Sequence, residues 1–284
     1  MKKWILNGLL ILFSAVFLVC GVLLANYYIQ SRQQAAVYDK LSDMIGELPT
    51  APFTPTDPPP ATEPDSSDPP EEKPELPESP WVTVTHPETG APVQLLPEFA
   101  NLYRINPDIV GWIQIPGTRV DYPVMQSPDN KDYYLKRNFH KEYTEHGSIY
   151  AREVCDIFSP SDNITIYGHR MRDGSMFYDL EKYKQKSFWE ENRYIVFNDL
   201  KERHTYEIFA VFLTTASAGK GFKYHEFVNA ADVAHYNEFI ATCKSLSLYD
   251  TGITPRYGNK LITLSTCEYS QTNGRLVVVA RRIS

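Results

Sequence analysis

The hydrophobic pattern of the chain begins with an apolar run from Trp4 to Ala25 that contains no charged residue. A helix needs about 20 such residues to cross a bilayer core, so the run predicts a transmembrane helix. Lys2 and Lys3 precede it, and the positive-inside rule then predicts a cytoplasmic N-terminus. A cleaved signal peptide is the competing interpretation, but its apolar region normally has only about 7–15 residues.

After this run the pattern changes twice. Apolar residues at Val37, Leu41, Ile45 and Leu48 follow helical spacing and predict a juxtamembrane helix. A segment with 12 prolines between residues 49 and 80 follows, which predicts an extended spacer because proline cannot donate ladder hydrogen bonds. The predicted organisation is a cytoplasmic tip and transmembrane anchor at 1–28, a juxtamembrane helix at 29–48, an acidic Pro-rich extracellular linker at 49–94 and a globular domain at 95–284.

From Leu95 onward, short apolar runs alternate with Gly, Pro, Asn and Asp, which is the pattern of β-strands and turns. The eight runs are GWIQIP, VDYPVMQ, GSIYA, NITIYG, RYIVFN, TYEIFAVFLTT, KLITLSTC and RLVVVARR. Eight strands in about 190 residues predict a closed or nearly closed β-barrel, a mainly β fold with peripheral helices. The helical segments are LPEFANLYRIN, GSMFYDLEKY and NAADVAHYNEFIATCKSL, the last with Asn229 as its predicted N-cap.

Charge and cysteine content narrow the function classes. The proline-rich segment holds eight acidic residues against one lysine, so it carries the whole formal net charge of −7. The remainder is balanced and has no strong basic run, which argues against a nucleic-acid partner. No His/Cys cluster has zinc spacing, and neither a metal nor a cofactor is expected. The part beyond the anchor holds three cysteines, an odd number, so at least one is unpaired within the chain. Pairing of Cys155 with Cys243 stays open, and both also suit small apolar core positions.

The last cysteine stands at the end of a strand run. Strand alternation places Thr263, Ser265 and Cys267 on one face. The following EYSQTNG ends in Asn-Gly, a hairpin signal, and an antiparallel hairpin there puts Arg275 opposite Cys267. A guanidinium in that place favours a thiolate or a developing oxyanion.

A nucleophilic thiol also needs an acid–base partner, usually histidine. His169 directly follows the strand run NITIYG, and residues after strand ends are often presented for chemistry. These patterns by themselves leave a catalytic Cys267–His169–Arg275 set and a structural core cysteine equally supported. The remaining histidines are expected on the solvated surface: His86, His140, His146, His204, His225 and His235.

In combination, TLSTC, NGRLVVVAR and NITIYGHRM resemble the sortases, membrane-anchored cysteine transpeptidases of Gram-positive bacteria. The stretch INPDIVGWIQIPGTRVDYPVMQ and the helix inserted between TYEIFAVFLTT and KLITLSTC resemble class B. The resemblance implies an eight-stranded barrel in which Cys267 is the nucleophile, His169 the general acid/base and Arg275 the stabiliser of the substrate carbonyl. It also implies that Ser265 touches the substrate and that the backbone N–H of Glu268 donates to the oxyanion.

The implied reaction cleaves a C-terminal sorting motif, NPxTN-like or xPxTG-like, of an exported surface protein or pilin. The acyl group then passes from a thioacyl-enzyme to a cell-wall amine such as a peptidoglycan precursor, at the outer side of the cell membrane. A class B pilin polymerase, a secreted cysteine protease and a non-catalytic binding module on a stalk are the alternatives. HPETG at 86–90 also resembles the core of a sorting motif, which raises the hypothesis of a self-recognition segment.

Overall fold

The computed structural model of the chain describes residues 2–46, 81–127, 129–217 and 219–284. Its strands are β1 Val82–Thr85, β2 Pro92–Leu95, β3 Ile109–Gln114, β4 Asp121–Met125, β5 Ile149–Ala151, β6 Asn163–Tyr167, β7 Tyr194–Asp199, β8 Arg203–Thr215, β9 Leu261–Glu268 and β10 Gly274–Arg282. The α-helices are α1 Lys2–Ile45, α2 Ala100–Ile105, α3 Lys186–Glu191 and α4 Val233–Leu246. Short 3₁₀ helices span Pro97–Phe99, Tyr133–Lys136, Tyr178–Lys184 and Tyr224–Glu226.

Strands β3 to β10 close into a barrel in the order β10-β8-β7-β3-β4-β5-β6-β9. The pairs β4–β5 and β6–β9 are parallel, and the other pairs are antiparallel. Each of the eight strands falls on one of the eight apolar runs, so the predicted eight-stranded barrel is confirmed. Alternation divides β10 between two cores, because Leu276 and Val278 join the main core while Val277 and Val279 pack beneath α4.

Helix α4 lies between β8 and β9 in the chain, as predicted, and covers the outer face of the barrel there. Its inward side chains form the second core with β8 and β10: Tyr236, Phe239, Ile240 and Cys243. The N-cap prediction is wrong, because Asp232 accepts the backbone N–H of His235 at 2.8 Å. The Asn229 side chain instead accepts the backbone N–H of Asp162 at 3.0 Å, which fixes the loop before the helix.

Helix α1 is one continuous helix, where the sequence predicted an anchor and a separate juxtamembrane helix. Its apolar N-terminal part is exposed and is long and apolar enough to cross a membrane. Its C-terminal part packs against the barrel, with Tyr38, Leu41 and Ile45 buried in the main core. The Tyr38 hydroxyl donates to the carbonyl of Gly147 at 3.0 Å. The end of α1 is therefore structurally part of the globular domain.

The end of the segment predicted as linker is folded. Strands β1 and β2 form an antiparallel hairpin that buries Val84 and Leu95, because these side chains complete the main core beside α2. HPETG at 86–90 is the turn of this hairpin and is closed by a 3.0 Å bond from the N–H of Gly90 to the carbonyl of His86. A closed turn outside the cavity that holds Cys267 does not support the self-recognition hypothesis. Residues 49–80 of the predicted linker lie outside the described residues, as do residues 47–48 of the predicted juxtamembrane helix.

The residues on either side of 47–80 contact the same globular domain. Ile45 lies in the main core, and the indole N–H of Trp81 donates to the carbonyl of Lys201 at 3.2 Å. Because α1 itself is docked on the barrel, the helix and not the proline-rich segment sets the distance between the apolar N-terminal part and the barrel.

Candidate active site

The hairpin of β9 and β10 places the nucleophile candidate beside the arginine. Cys267 and Arg275 are directly paired residues of the two strands, as predicted. Asn273 turns the chain between them with a left-handed backbone, φ 54°, which asparagine tolerates well. The Arg275 guanidinium donates to the carbonyl of Gly274 at 2.9 Å and folds over the turn. Its charge is thereby held beside the end of β9.

The parallel pair β6–β9 brings the histidine to the same place. The last aligned pair is Tyr167 with Ser265, and the N–H of Gly168 donates to the carbonyl of Ser265 at 3.2 Å. His169 and Cys267 each stand two residues beyond that pair, so both lie at the same end of the sheet. A Cβ at Gly168 would approach a neighbouring isoleucine to 2.5 Å, so glycine is the residue that fits here.

A cavity of about 250 Å³ lies at this end of the sheet. Cys267, His169, Arg275 and Ser265 all line it, so the structure brings together four of the five residues that the sequence singled out. The fifth, Glu268, extends its side chain to the opposite face of β9, as strand alternation requires.

A backbone carbonyl orients the histidine. Nε2 of His169 lies 2.8 Å from the carbonyl oxygen of Leu135, and because a carbonyl only accepts, Nε2 is the donor. Nδ1 is then the nitrogen left for proton exchange. Gly147 approaches this carbonyl closely, and a Cβ there would lie 2.3 Å from the Leu135 oxygen. The sequence could not reveal this orienting group, because every residue carries a carbonyl.

The environment of His169 favours the neutral imidazole. Burial has the largest effect and lowers the pKa of His169, and the positive charge of Lys136 lowers it further together with His146. The bond to Leu135 and the negative charge of Glu145 oppose this, but the net pKa is below the usual value. At neutral pH the ring is therefore mostly uncharged and able to accept a proton.

A tyrosine that the sequence analysis missed completes the wall next to Ser265. The Tyr224 hydroxyl lies 2.6 Å from Oγ of Ser265, and the two residues are only 5 % and 2 % exposed. Burial raises the pKa of Tyr224, so the phenol stays protonated. Tyr224 belongs to the 3₁₀ helix before α4, and its only sequence signal was its position in the inserted loop.

Two histidines are buried, contrary to prediction, and a third is half-buried at the active cavity. His146 and His204 are buried, and their Nε2 atoms pair with Asp173 at 2.7 Å and Asp199 at 3.0 Å. His225 lines the active cavity, where the Arg152 guanidinium donates to its carbonyl. Short-range sequence could not show the His146–Asp173 pair or the cavity, because their parts meet only in the folded domain, whereas Asp199 lies just five residues before His204.

Cys155 and Cys243 are free, buried thiols in the structure. Burial raises the pKa of both, which makes them unreactive as nucleophiles. Cys155 contacts the carbonyl of Asn163 at 3.6 Å, while Cys243 packs in the core beneath α4. They are not paired, so the apolar packing interpretation holds for this structure.

Comparison with known proteins identifies the family. Residues 113–283 match the sortase domain. The chain is 35 % identical over 189 residues to sortase B of Staphylococcus aureus, covering 66 % of this chain and 75 % of that protein. Sortase B of Listeria monocytogenes is also 35 % identical, over 191 residues, with 66 % and 74 % covered.

Comparison with solved structures gives the same family. The Staphylococcus aureus sortase B–substrate complex superposes with a TM-score of 0.61 at 32 % identity, covering 67 % of this chain and 86 % of that chain. Sortase B of Clostridium perfringens gives a TM-score of 0.59 at 34 % identity, covering 65 % and 98 %.

The chain therefore belongs to the sortase family, which makes it a cysteine transpeptidase that acts on sorting motifs. The sortase B relatives and the inserted helix α4 place it in class B.

Proposed function

We propose that Cys267 is the nucleophile, His169 the general acid/base and Arg275 the stabiliser of the oxyanion in this transpeptidase. The observation that carries the assignment is that strand pairing from two directions, β9–β10 and β6–β9, brings these three side chains to one cavity. A buried structural cysteine would need neither an arginine directly opposite nor an oriented histidine.

In the first half-reaction the Cys267 sulfur attacks the scissile carbonyl carbon of the sorting motif. The Arg275 guanidinium supports the negative charge on the carbonyl oxygen. Nδ1 of His169 takes the proton of the Cys267 thiol and gives it to the departing amine, the C–N bond breaks, and a thioester remains. Retention of the Nε2 bond to Leu135 keeps the ring oriented during this transfer.

In the second half-reaction an amine attacks the thioester. Neutral His169 takes a proton from that amine, the C–S bond breaks and the thiol group of Cys267 is released. The lowered pKa of His169 suits this base role. It also means that the thiolate and the imidazolium are rarely present together, which predicts a slow enzyme with ping-pong kinetics.

Two further residues act on the substrate. The Ser265 hydroxyl, held by Tyr224, presents its remaining hydrogen-bonding capacity to the bound motif. The backbone N–H of Glu268 is a second donor to the oxyanion, because it follows the nucleophile directly. Its carboxylate contacts Lys184 at 2.7 Å, outside the cavity.

The substrate is an exported protein with a C-terminal sorting motif, NPxTN-like or xPxTG-like, and the acceptor is a cell-wall amine. Helix α1 anchors the enzyme with its N-terminus in the cytoplasm and the barrel outside. About 20 residues cross the bilayer core, and the helix then continues at about 1.5 Å per residue to its docked end. The active site is thus held near the membrane where exported substrates emerge.

The test uses the full-length chain in detergent micelles with fluorogenic peptides of both motif types, each with and without diaminopimelate or a glycine amine. Cys267→Ala is the inactive variant, and Cys20→Ala is the matched control because its thiol lies in the apolar part of α1. We expect amine-dependent ligated product with the native chain and Cys20→Ala, and none with Cys267→Ala. Product formation by Cys267→Ala would overturn the assignment, and cleavage without ligation would favour the cysteine protease.

A further inference from the structure

Four charged side chains outside the active cavity form a continuous run of ion pairs, the charge chain Arg170–Glu181–Lys184–Glu268. Nζ of Lys184 lies 2.7 Å from Oε1 of Glu268 and 2.8 Å from Oε2 of Glu181. Oε1 of Glu181 lies 3.4 Å from Nε of Arg170. The signs alternate along the chain, so every contact is attractive.

The charge chain is largely withdrawn from solvent. The side chain of Glu268 is 5 % exposed, and those of the other three members are 21–26 % exposed. Burial alone would raise the pKa of Glu268, but hydrogen bonds from Lys184 and Ser270 outweigh it and the pKa is lowered. The carboxylate therefore stays charged, and a buried charge of this kind is tolerated only while its partner is present.

The two ends of the charge chain adjoin the reactive residues. Arg170 follows His169 along the chain, and Glu268 follows Cys267. The aligned pairing of β6 with β9 stops before either reactive residue is reached. Beyond that point, contacts through the 3₁₀ helix Tyr178–Lys184 connect the two strand ends. The same helix is tied to β6 through the N–H of the residue before it, which donates to the carbonyl of His169 at 2.9 Å.

Aromatic rings add a second connection. The Arg170 guanidinium lies 5.3 Å from the ring centre of Tyr178 and 5.1 Å from that of Tyr269. Tyr178 begins the 3₁₀ helix and Tyr269 follows Glu268, so the guanidinium contacts both segments by cation–π interaction. The link between the strand ends is thus made twice, by ion pairs and by rings.

We propose that Glu181 and Lys184 are positioning residues, which hold the ends of β6 and β9 at the spacing that proton transfer between Cys267 and His169 requires. This inference rests on the proposed roles of Cys267 and His169. Neither Glu181 nor Lys184 lines the cavity, so they act through the backbone beside the reacting groups. A displacement of about 1 Å at a reacting group costs on the order of 100-fold in rate, so small movements of these strand ends matter.

The experiment compares Lys184→Met, Glu181→Gln and the conservative Lys184→Arg in the full-length chain in detergent. Lys186→Met is the matched control, because Lys186 contacts Glu190 only at 3.9 Å and both side chains are half exposed. We measure kcat and KM for transpeptidation and the melting temperature of each variant. We expect kcat to fall by about 10- to 100-fold in Lys184→Met and Glu181→Gln with KM within about twofold of the native value. Lys186→Met stays native, and Lys184→Arg recovers most of kcat.

The outcomes separate this proposal from the proposed function. If Cys267→Ala abolishes activity while both Lys184→Met and Glu181→Gln keep native kcat, the positioning role is wrong and the catalytic assignment stands. A change in KM without a fall in kcat also overturns the positioning role. So does a fall in kcat that Lys184→Arg fails to recover. Should Lys184→Met not fold, Glu181→Gln decides, because it removes a charge and preserves the shape of the side chain. Activity retained by Cys267→Ala would instead overturn the catalytic assignment itself.

Discussion

Replacing Tyr224 with phenylalanine removes one hydroxyl from the wall of the active cavity and leaves the Ser265 hydroxyl without its partner at 2.6 Å. Both residues are almost fully buried, so their hydroxyl groups have little contact with solvent. A buried polar group left unsatisfied costs about 1–3 kcal/mol. For a domain of this size each kcal/mol lowers the melting temperature by about 2–4 °C.

A double-mutant cycle isolates this hydrogen bond from other effects of the substitutions. Tyr224→Phe and Ser265→Ala each leave one orphaned hydroxyl, whereas the double variant leaves none. The double variant should therefore lose less stability than the sum of the single losses, by about 1–3 kcal/mol.

The assay is denaturant unfolding of the full-length chain in detergent, followed by the tyrosine and tryptophan fluorescence of the barrel. If the loss of stability in the double variant equals the sum of the two single losses within about 0.5 kcal/mol, the reasoning is refuted, since additivity marks groups that do not interact. Measurement of kcat/KM on the same four proteins then shows how far the substrate depends on the orientation of the Ser265 hydroxyl.

Leu41→Ala in the docked part of α1 should lower the free energy of unfolding by about 2–5 kcal/mol, because Leu41 is 2 % exposed in the main core. A native melting temperature in thermal unfolding would contradict the docking. Lys136→Met should raise the pKa of His169 and Glu145→Gln should lower it, so the acid limb of kcat/KM should move to higher and lower pH respectively; shifts in the same direction would contradict the charge assignment. Iodoacetamide on the native chain should label Cys267 and neither buried core cysteine, as mapped by peptide mass spectrometry; labelling of a core cysteine before unfolding would contradict their burial.

The hairpin that carries Cys267 could be predicted because all its determinants are local. Alternation fixed which residues of β9 share a face, and Asn-Gly fixed where the chain turns. The pairing of Cys267 with Arg275 follows from these two features, and the structure confirms it. The position of His169 at a strand end could be predicted because it directly follows a strand run, although the strand that pairs with this run lies far away in sequence.

Groups recruited from distant segments could not be predicted. The carbonyl of Leu135 has no side-chain signature, and its selection depends on the close approach of Gly147. His146 is buried by contact with Asp173, from the loop after β6. The contact of Tyr224 with Ser265 could not be predicted either, since an aromatic residue in a long loop suits many environments.

For helix α1, the hydrophobic pattern predicts the helix but not what its apolar face contacts. The spacing of Val37, Leu41 and Ile45 correctly predicts a helix with an apolar face, but such a face fits a membrane surface as well as a protein core. The structure assigns it to the core, with Tyr38 bonded to Gly147. The hairpin at 82–95 was missed because its strands are short and the proline-rich composition before it dominated the prediction.

The parallel pairing of β6 with β9 explains why the active site depends on the whole barrel. Residues 163–167 pair with residues 261–265, so this contact closes a loop of nearly 100 residues. Such contacts carry a loop-closure cost that shorter hairpins do not. The β9–β10 hairpin can bring Arg275 to Cys267 by itself, whereas His169 arrives only when the barrel closes. Before closure Cys267 lacks its proposed acid–base partner, so on the proposed assignment acyl transfer belongs to the fully folded domain.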